Sequence, residues 1–268
     1  MSKTINLADL RRMKAQQEKI VCLTAYDASF ARLFSQNGIE LLLIGDSLGN
    51  VIQGHDTVVP VNVADILYHT RIVVRGNTGS YLMADLPFMA YTNETMAIAN
   101  AKKLMQAGAH CIKLEVKTQH LTVVKALADA GVPVCVHIGL SAQVVHQQGG
   151  YKIQGRSKIA AEQLLNDAIA FEQAGACLCL IECVPAALAK TITTSLNIPT
   201  IGIGAGVDCD GQILVSYDIL GIDCGFKPKF VSNFLEDLPK ASIKDAVIAY
   251  RQAVKKQFFP APVHCFAD

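Results

Sequence analysis

The sequence predicts an α/β protein, specifically a (β/α)₈ barrel of the TIM type preceded by an N-terminal helix. Its length of 268 residues is close to the roughly 250 that one such barrel needs. Short apolar runs recur eight times with helix-compatible segments between most of them, as expected for strands that are buried on both faces of a parallel sheet. Eight β/α units close into a barrel, and an open doubly wound sheet is the alternative.

The predicted elements alternate along the chain. Residues 7–18 are polar and helix-compatible, and they precede the first strand. The predicted strands are 20–26, 40–45, 81–84, 111–114, 133–138, 177–181, 199–203 and 212–217. The predicted helices are 28–37, 63–75, 94–107, 118–130, 158–174, 184–195 and 242–257. Several of them end in Ala-Gly, and a glycine just past the last turn is a common helix stop.

Composition indicates a single domain over residues 1–268, because no linker-like stretch divides the chain. The net charge is +1 without a basic stripe, which does not favour nucleic-acid or membrane binding. No run approaches the ~18 apolar residues of a membrane span, and the N-terminus has no apolar signal core. The nine cysteines show no C-x-x-C spacing. We therefore expect free thiols in the cytoplasm rather than disulfides or a zinc site.

Four of the apolar runs lead to a carboxylate, and these are Asp46, Asp85, Glu115 and Glu182. The carboxyl ends of parallel strands meet at one mouth of a barrel, where such folds place their chemistry. Asp46, Asp85 and Glu115 follow three successive strands, and clustered oxygen ligands of this kind suit Mg²⁺. The alternative for each residue alone is a helix cap or a loop acid.

Three further residues at this mouth could take part in chemistry. Lys113 projects to the same face as Glu115, so it either pairs with Glu115 or holds a substrate carboxylate. His137 ends the fifth run, where we favour a substrate contact over a hydrogen-bonded filler. Glu182 lies two strands beyond the three carboxylates. Burial would raise its pKa into the range of a general base. Its alternative role is a structural partner of Arg156 or a lysine.

Two glycine-containing loops follow predicted strands. Residues 202–206 favour a tight turn over a phosphate-binding loop. Residues 149–156 form a polar loop after the fifth strand, either a lid over the mouth or an ordered surface loop. We interpret four histidines as helix-surface or loop residues without a role, and these are His69, His110, His120 and His264.

Seven sequence strings together resemble the ketopantoate hydroxymethyltransferase family, from about residue 20 to residue 235. They are LTAYD at 23–27, GDSLG at 45–49, QGHD at 53–56, ADLPF at 84–88, GGYKIQGR at 149–156, ECVP at 182–185 and GIGAG at 202–206. The resemblance implies a barrel of the phosphoenolpyruvate/pyruvate superfamily and a cytoplasmic homo-oligomer, with a decamer as the expected assembly.

The resemblance also implies a reaction and its residues. A hydroxymethyl group would pass from 5,10-methylenetetrahydrofolate to 3-methyl-2-oxobutanoate through a metal-stabilised enolate, giving 2-dehydropantoate for pantothenate and coenzyme A. Asp46 and Asp85 match direct Mg²⁺ ligands, and Glu115 matches the third carboxylate at the metal. Glu182 matches the proton acceptor. The residues of this chain that match the family's contacts to the 2-oxo acid are Asp46, Ser47, Asp85 and Lys113.

The chain departs from the family pattern in loops near the predicted mouth. Val116-Lys117 replace a common Gly-Gly, Ser216-Tyr217 replace Met-His, and Phe226-Lys227 are unusual. These departures bear on where folate would bind. The alternative functions are a folate-independent, Mg²⁺-dependent C–C lyase or phosphoenolpyruvate-mutase-like enzyme acting on a 2-oxo acid, and a non-catalytic barrel.

Overall fold

Eight strands form a closed barrel in which each strand runs parallel to its neighbours in sequence order. The computed structural model describes residues 4–222, 227–236 and 242–266. The strands are β1 (Ile20–Thr24), β2 (Leu41–Ile44), β3 (Tyr81–Asp85), β4 (Cys111–Glu115), β5 (Val134–Gly139), β6 (Leu178–Glu182), β7 (Thr200–Ile203) and β8 (Gly211–Leu214). Pairing of β1 with β8 closes the sheet, with Val21 opposite Gln212.

Helices surround the barrel, and six of those in the described ranges begin at side-chain caps. The α-helices are α1 (Leu7–Ala15), α2 (Ala28–Gln36), α3 (Leu48–Val51), α4 (Val63–Gly76), α5 (Glu94–Gln106), α6 (Leu121–Asp129), α7 (Val145–Gln148), α8 (Lys158–Gln173), α9 (Ala186–Ser195) and α10 (Ile243–Lys255). Capping boxes at Asn6, Asn62 and Ser242 satisfy the first backbone N–H groups of α1, α4 and α10. Within the described ranges, no helix has both the length and the apolar content needed to cross a bilayer.

The alternation of strand side chains places the polar residues at one end of the barrel interior. Successive residues of a strand point to opposite faces of the sheet. On β3, Tyr81 and Met83 pack in the interior apolar cluster, and Asp85 follows on the same face. Lys113 on β4 is the register partner of Asp85 and therefore points to the same interior face. Glu115, two residues later on β4, points to this face as well. The carboxyl ends of the strands therefore carry the polar side chains above an apolar layer.

Helix α1 covers the opposite end of the barrel. Its Leu10 and Met13 are 0% and 4% exposed, and they pack with the interior residues Ile20 and Tyr81 near the strand starts. The second, larger apolar cluster lies between the outer barrel face and the surrounding helices. Both faces of the strands are therefore buried, which explains why the strands read as continuous apolar runs.

The eight predicted strands are confirmed, and the open doubly wound sheet is wrong because β1 pairs with β8. The predicted helix over 7–18 ends earlier, at Ala15, and Gln17 has a left-handed φ of 56°. The predicted helix over 118–130 begins as the 3₁₀ turn Thr118–His120. The strand predicted over 212–217 is β8, which ends at Leu214.

The sequence analysis assigned no element to the segments of the short helices α3 and α7, because four residues are too few for a periodic apolar pattern. Eight cysteines fall within the described ranges as free thiols, and seven of them are buried. The remaining Cys224 and the unusual Phe226 lie outside the described residues.

Candidate active site

A buried ion pair lies at the carboxyl ends of β3 and β4. Lys113 Nζ is 2.5 Å from Asp85 Oδ1, and both side chains are almost fully buried. The parallel register makes the two residues direct neighbours. The sequence-based alternative that Lys113 pairs with Glu115 is therefore wrong. The partner lies on the adjacent strand because side chains two apart on one strand are farther from each other than side chains of register partners.

The charges around this pair shift the pKa values of both groups. Burial raises the pKa of Asp85, the Lys113 ammonium lowers it, and the Asp46 carboxylate adds to the rise. Burial alone would lower the pKa of Lys113, but Asp85 and the other nearby carboxylates raise it. Lys113 therefore stays protonated and Asp85 is its counterion. The second oxygen of Asp85, Oδ2, accepts a hydrogen bond of 3.0 Å from the backbone N–H of Asp46, which joins the ends of β2 and β3.

Glu115 at the end of β4 is held by the loop that follows β5. Its Oε2 accepts hydrogen bonds from the Ser141 hydroxyl and from the backbone N–H of Gln143, the latter at 3.0 Å. Burial raises the pKa of Glu115. The side-chain amide of Gln143 donates to Asp46 Oδ2 at 2.7 Å. Asp46 and Glu115 are thus brought into one site through a single residue.

His137 lies between two of the carboxylates. Its Nδ1 is 3.5 Å from Glu115 Oε1, and its Nε2 is 3.1 Å from Glu182 Oε2. Neither approach has hydrogen-bond alignment, so both ring nitrogens are buried without a hydrogen-bond partner among the described residues. Burial, with Lys113 nearby, lowers the pKa of His137 to about 4. The imidazole is therefore neutral at pH 7 and can still bind a polar ligand.

Glu182 ends β6 at the edge of the cluster, with 18% of its side chain exposed. Burial raises its pKa to about 7, Lys113 opposes the rise, and Asp46 adds to it. In the described ranges its neighbour at ion-pair distance is His137, not Arg156 or a lysine. Gly139 allows this approach of β5 and β6, because a Cβ there would lie 2.2 Å from the Glu182 backbone oxygen.

Ser47 follows Asp46 at the mouth. Its hydroxyl group contacts the side chain of Tyr26, which lies two residues after the end of β1. The Tyr26 hydroxyl and Ser47 Oγ are 2.9 Å apart, and Tyr26 is 2% exposed. Burial raises the pKa of Tyr26 well above neutral pH, so the phenol is protonated. The pair is thus a neutral hydrogen bond that orients Ser47.

The structure brings together every residue that the sequence singled out for this mouth. It also adds residues that the sequence analysis missed, and these are Tyr26, Tyr91, Ser141 and Gln143. Gln143 follows β5 within two residues of a serine, but glutamine has no pattern that distinguishes a buried amide from a surface one. Of the four, Tyr26 alone carried a signal, because it stands in the LTAYD string.

A cavity of about 150 Å³ opens beside Glu115, between the loops that follow β3, β4 and β5. Phe88, Met89 and Val116 supply apolar walls, and Lys117 lies at the wall as well. Lys117 Nζ donates a hydrogen bond of 3.0 Å to Gln147 Oε1. Val116 and Lys117, the pair at which the sequence analysis expected a departure, both line this cavity.

The two glycine-containing loops differ in their structure. Gly204 and Gly206 have positive φ angles of 58° and 85°, which a tight turn requires. Residues 149–156 follow α7, and Tyr151 is 52% exposed. The Tyr151 pKa is raised by partial burial and by the Glu182, Asp46 and Glu115 carboxylates, so its ring lies near the mouth. Movement of this loop as a lid remains a prediction.

The cluster's charge is suited to a divalent cation. Three buried carboxyl groups, Asp46, Asp85 and Glu115, face one ammonium and a neutral His137. Burial raises the pKa values of Asp85 and Glu115, so a bound cation would stabilise their ionised forms. Within the described ranges, however, no group of three or more His, Cys, Asp or Glu side chains is arranged to hold a metal ion. Mg²⁺ commonly takes one or two carboxylates and completes its shell with water and substrate. Two aspartate ligands would leave coordination positions of the ion for water and substrate, so the site fits Mg²⁺. The role of Glu115 as a direct ligand stays a prediction.

The fold and the site define the class of the protein. Ionisable side chains with perturbed pKa values converge at the carboxyl end of a (β/α)₈ barrel, which is the catalytic end of this fold. The 2,3-dimethylmalate lyase of the PEP mutase/isocitrate lyase superfamily has a similar structure, with a TM-score of 0.57 and 16% identity over 80% of this chain and 82% of that one. At this identity the likeness concerns the fold.

The sequence comparisons then define the family. The model of ketopantoate hydroxymethyltransferase matches residues 4–262, and the chain belongs to this family. The 3-methyl-2-oxobutanoate hydroxymethyltransferase of Colwellia psychrerythraea is 52% identical over 262 residues, 98% of each chain. That of Marinomonas sp. is 48% identical over 266 residues, 99% of this chain and 96% of the relative. The protein is thus an enzyme, and the non-catalytic barrel and the lyase alternative are not favoured.

Proposed function

We propose that the enzyme transfers a hydroxymethyl group from 5,10-methylenetetrahydrofolate to 3-methyl-2-oxobutanoate and releases 2-dehydropantoate. The observation that carries this proposal is the set of acidic side chains at the barrel mouth, gathered around Lys113 with Glu182 at its edge. The near-full-length relatives of this name support the substrate pair.

Lys113 and Ser47 would hold the anionic end of the 2-oxo acid. Lys113 is a buried ammonium that other carboxylates keep protonated, so a substrate carboxylate can share it with Asp85. Ser47 is oriented by Tyr26 and offers a hydroxyl at the same mouth. His137 has two unpaired ring nitrogens, one of which can donate a hydrogen bond to a substrate oxygen.

Asp46 and Asp85 would hold Mg²⁺, and Glu115 would lie at the metal as the third carboxylate. When bound, Mg²⁺ would act as a Lewis acid on the substrate's keto oxygen. The contribution of the chain is to supply oxygen donors whose orientation is fixed by hydrogen bonds from the Asp46 backbone and from Gln143.

Glu182 would act as the general base. Its raised pKa of about 7 matches the condition for efficient proton transfer near neutral pH. C3 of the 2-oxo acid would lose its proton to Glu182, and its electron pair would form the new C–C bond to the one-carbon unit of the folate. The first of the two carbon–nitrogen bonds between that carbon and the folate would open to allow this attack. Water would then supply the hydroxyl group and a proton for the departing folate nitrogen as the second carbon–nitrogen bond breaks.

A coupled assay tests this proposal directly. Purified enzyme with Mg²⁺, 3-methyl-2-oxobutanoate and methylenetetrahydrofolate is expected to form 2-dehydropantoate, and omission of any one component is expected to stop product formation. Turnover of the 2-oxo acid without folate would instead support the lyase alternative. No product with all components present would refute the proposal.

Family membership also supports a cytoplasmic homo-oligomer, with a decamer as the expected assembly. Sedimentation analysis of the purified enzyme measures this directly, and a monomer would contradict it.

A further inference from the structure

We propose that Gln143 is a positioning residue, which fixes the orientation of the Asp46 and Glu115 carboxylates from the loop after β5. This inference rests on the proposed function, because it concerns how those carboxylates are presented to substrate and metal. Gln143 is 2% exposed and lies in the 3₁₀ turn Ala142–Val144. The sequence analysis assigned it no role.

Every polar group of the Gln143 side chain has a partner. Nε2 donates to Asp46 Oδ2 at 2.7 Å and to the Leu86 backbone oxygen at 3.0 Å. Oε1 lies 2.7 Å from the Tyr91 hydroxyl, which is also 2.8 Å from the backbone oxygen of Glu115. The single hydroxyl hydrogen of Tyr91 is therefore shared between two acceptors.

These partners allow the amide only one orientation. The Leu86 carbonyl oxygen can only accept, and an ionised Asp46 carboxylate can only accept. The NH₂ group of Gln143 must therefore face both of them, and its oxygen must face Tyr91. A flipped amide would place three oxygens against one another without a hydrogen. The hydrogen bond to Asp46 is thus fixed by the protein before any ligand binds.

The backbone of the same residue holds the second carboxylate. The N–H of Gln143 donates to Glu115 Oε2 at 3.0 Å, beside the Ser141 hydroxyl. One residue thus holds two like charges that come from β2 and β4, and that would otherwise repel each other. The amide engages Oδ2 of Asp46, so Oδ1 of that carboxylate takes no part in this hydrogen bond. A partner that hydrogen-bonds a metal ligand typically contributes about 10–100-fold to metal affinity.

The variant Gln143→Met tests this inference, because it keeps a side chain of similar length and removes the amide. The matched control is Gln163→Met on α8, where an exposed glutamine donates to Asp167 at 2.9 Å. Calorimetric titration of each protein with Mg²⁺ in the presence of 3-methyl-2-oxobutanoate measures the equilibrium affinity. Urea denaturation measures stability in parallel.

We expect about 10–100-fold weaker Mg²⁺ binding for Gln143→Met and about twofold or less for Gln163→Met, with both proteins folded. Unchanged Mg²⁺ affinity in folded Gln143→Met would overturn the inference. If that variant does not fold, Tyr91→Phe provides the test, because it removes the hydroxyl group that contacts Gln143 Oε1. We expect about 3–10-fold weaker Mg²⁺ binding for Tyr91→Phe, and unchanged Mg²⁺ affinity would overturn the inference. If the wild-type protein binds neither ligand, the proposed function itself fails.

Discussion

At the scale of single residues, the carboxylates of the mouth differ in what surrounds them. Asp85 has an ammonium counterion, whereas Glu115 is held by a hydroxyl and a backbone N–H. Among the described residues, the group at ion-pair distance from Glu182 is the neutral imidazole of His137. Carboxyl groups in different environments can carry different roles. The least compensated of the three, Glu182, is the one best suited to accept a proton.

The raised pKa of Glu182 predicts a pH dependence of activity. A carboxyl group with a pKa of about 7 becomes protonated as the pH falls below that value, and a protonated carboxyl cannot accept the C3 proton. We therefore expect kcat/KM for the 2-oxo acid to fall about tenfold per pH unit below pH 7. Burial also raises the pKa of Asp85, so protonation of that ligand would add to the same fall, whereas His137, with a pKa of about 4, does not titrate in this range.

Steady-state rates between pH 5 and pH 8 measure this profile, in the presence of saturating folate. A base with the ordinary glutamate pKa of about 4.3 would leave the profile flat down to about pH 5. A flat profile would therefore remove Glu182 from the role of general base.

At the scale of elements, the strands were predictable and the loop contacts were not. The apolar runs mark β1 to β8 because both faces of each strand are buried, and the runs end where the barrel interior becomes polar. The 141–144 segment carries no such pattern. Its Ser141 and Gln143 act through two hydrogen bonds to Glu115, which lies 26 and 28 residues earlier in the chain. Contacts of this kind depend on the closed fold, so the local sequence does not specify them.

Helix α1 has a structural role that can be separated from the site. Leu10 is fully buried at the end of the barrel opposite the carboxylates. Leu10→Ala is expected to lower the free energy of unfolding by about 2–5 kcal/mol, because it leaves a cavity in a packed cluster. The affinity for 3-methyl-2-oxobutanoate is expected to stay unchanged in the folded variant.

Urea denaturation and calorimetric titration measure these two quantities. Arg11→Ala on the exposed face of the same helix is the control, with an expected effect within about 0.5 kcal/mol. Equal stability of Leu10→Ala and Arg11→Ala would show that α1 does not stabilise the barrel through this contact.

At the scale of the whole molecule, one rule of the fold explains most of what could be predicted. Parallel strands in a closed barrel direct their carboxyl ends to a single mouth, so residues up to 136 positions apart, Asp46 and Glu182, could be assigned to one site from the ends of apolar runs. The rule does not determine which neighbours pair. Lys113 contacts Asp85 because of the β3–β4 register. An apolar run locates a strand in the sequence, but it does not specify how that strand is aligned with its neighbour.

The central claim is that this acidic mouth binds the 2-oxo acid and that Glu182 removes its C3 proton. The most direct measurement is the exchange of that proton for deuterium in D₂O, followed by NMR with Mg²⁺ and without folate. We predict exchange by the wild-type enzyme and its loss in Glu182→Gln, with binding of 3-methyl-2-oxobutanoate nearly intact. Exchange at the wild-type rate in Glu182→Gln would contradict the account.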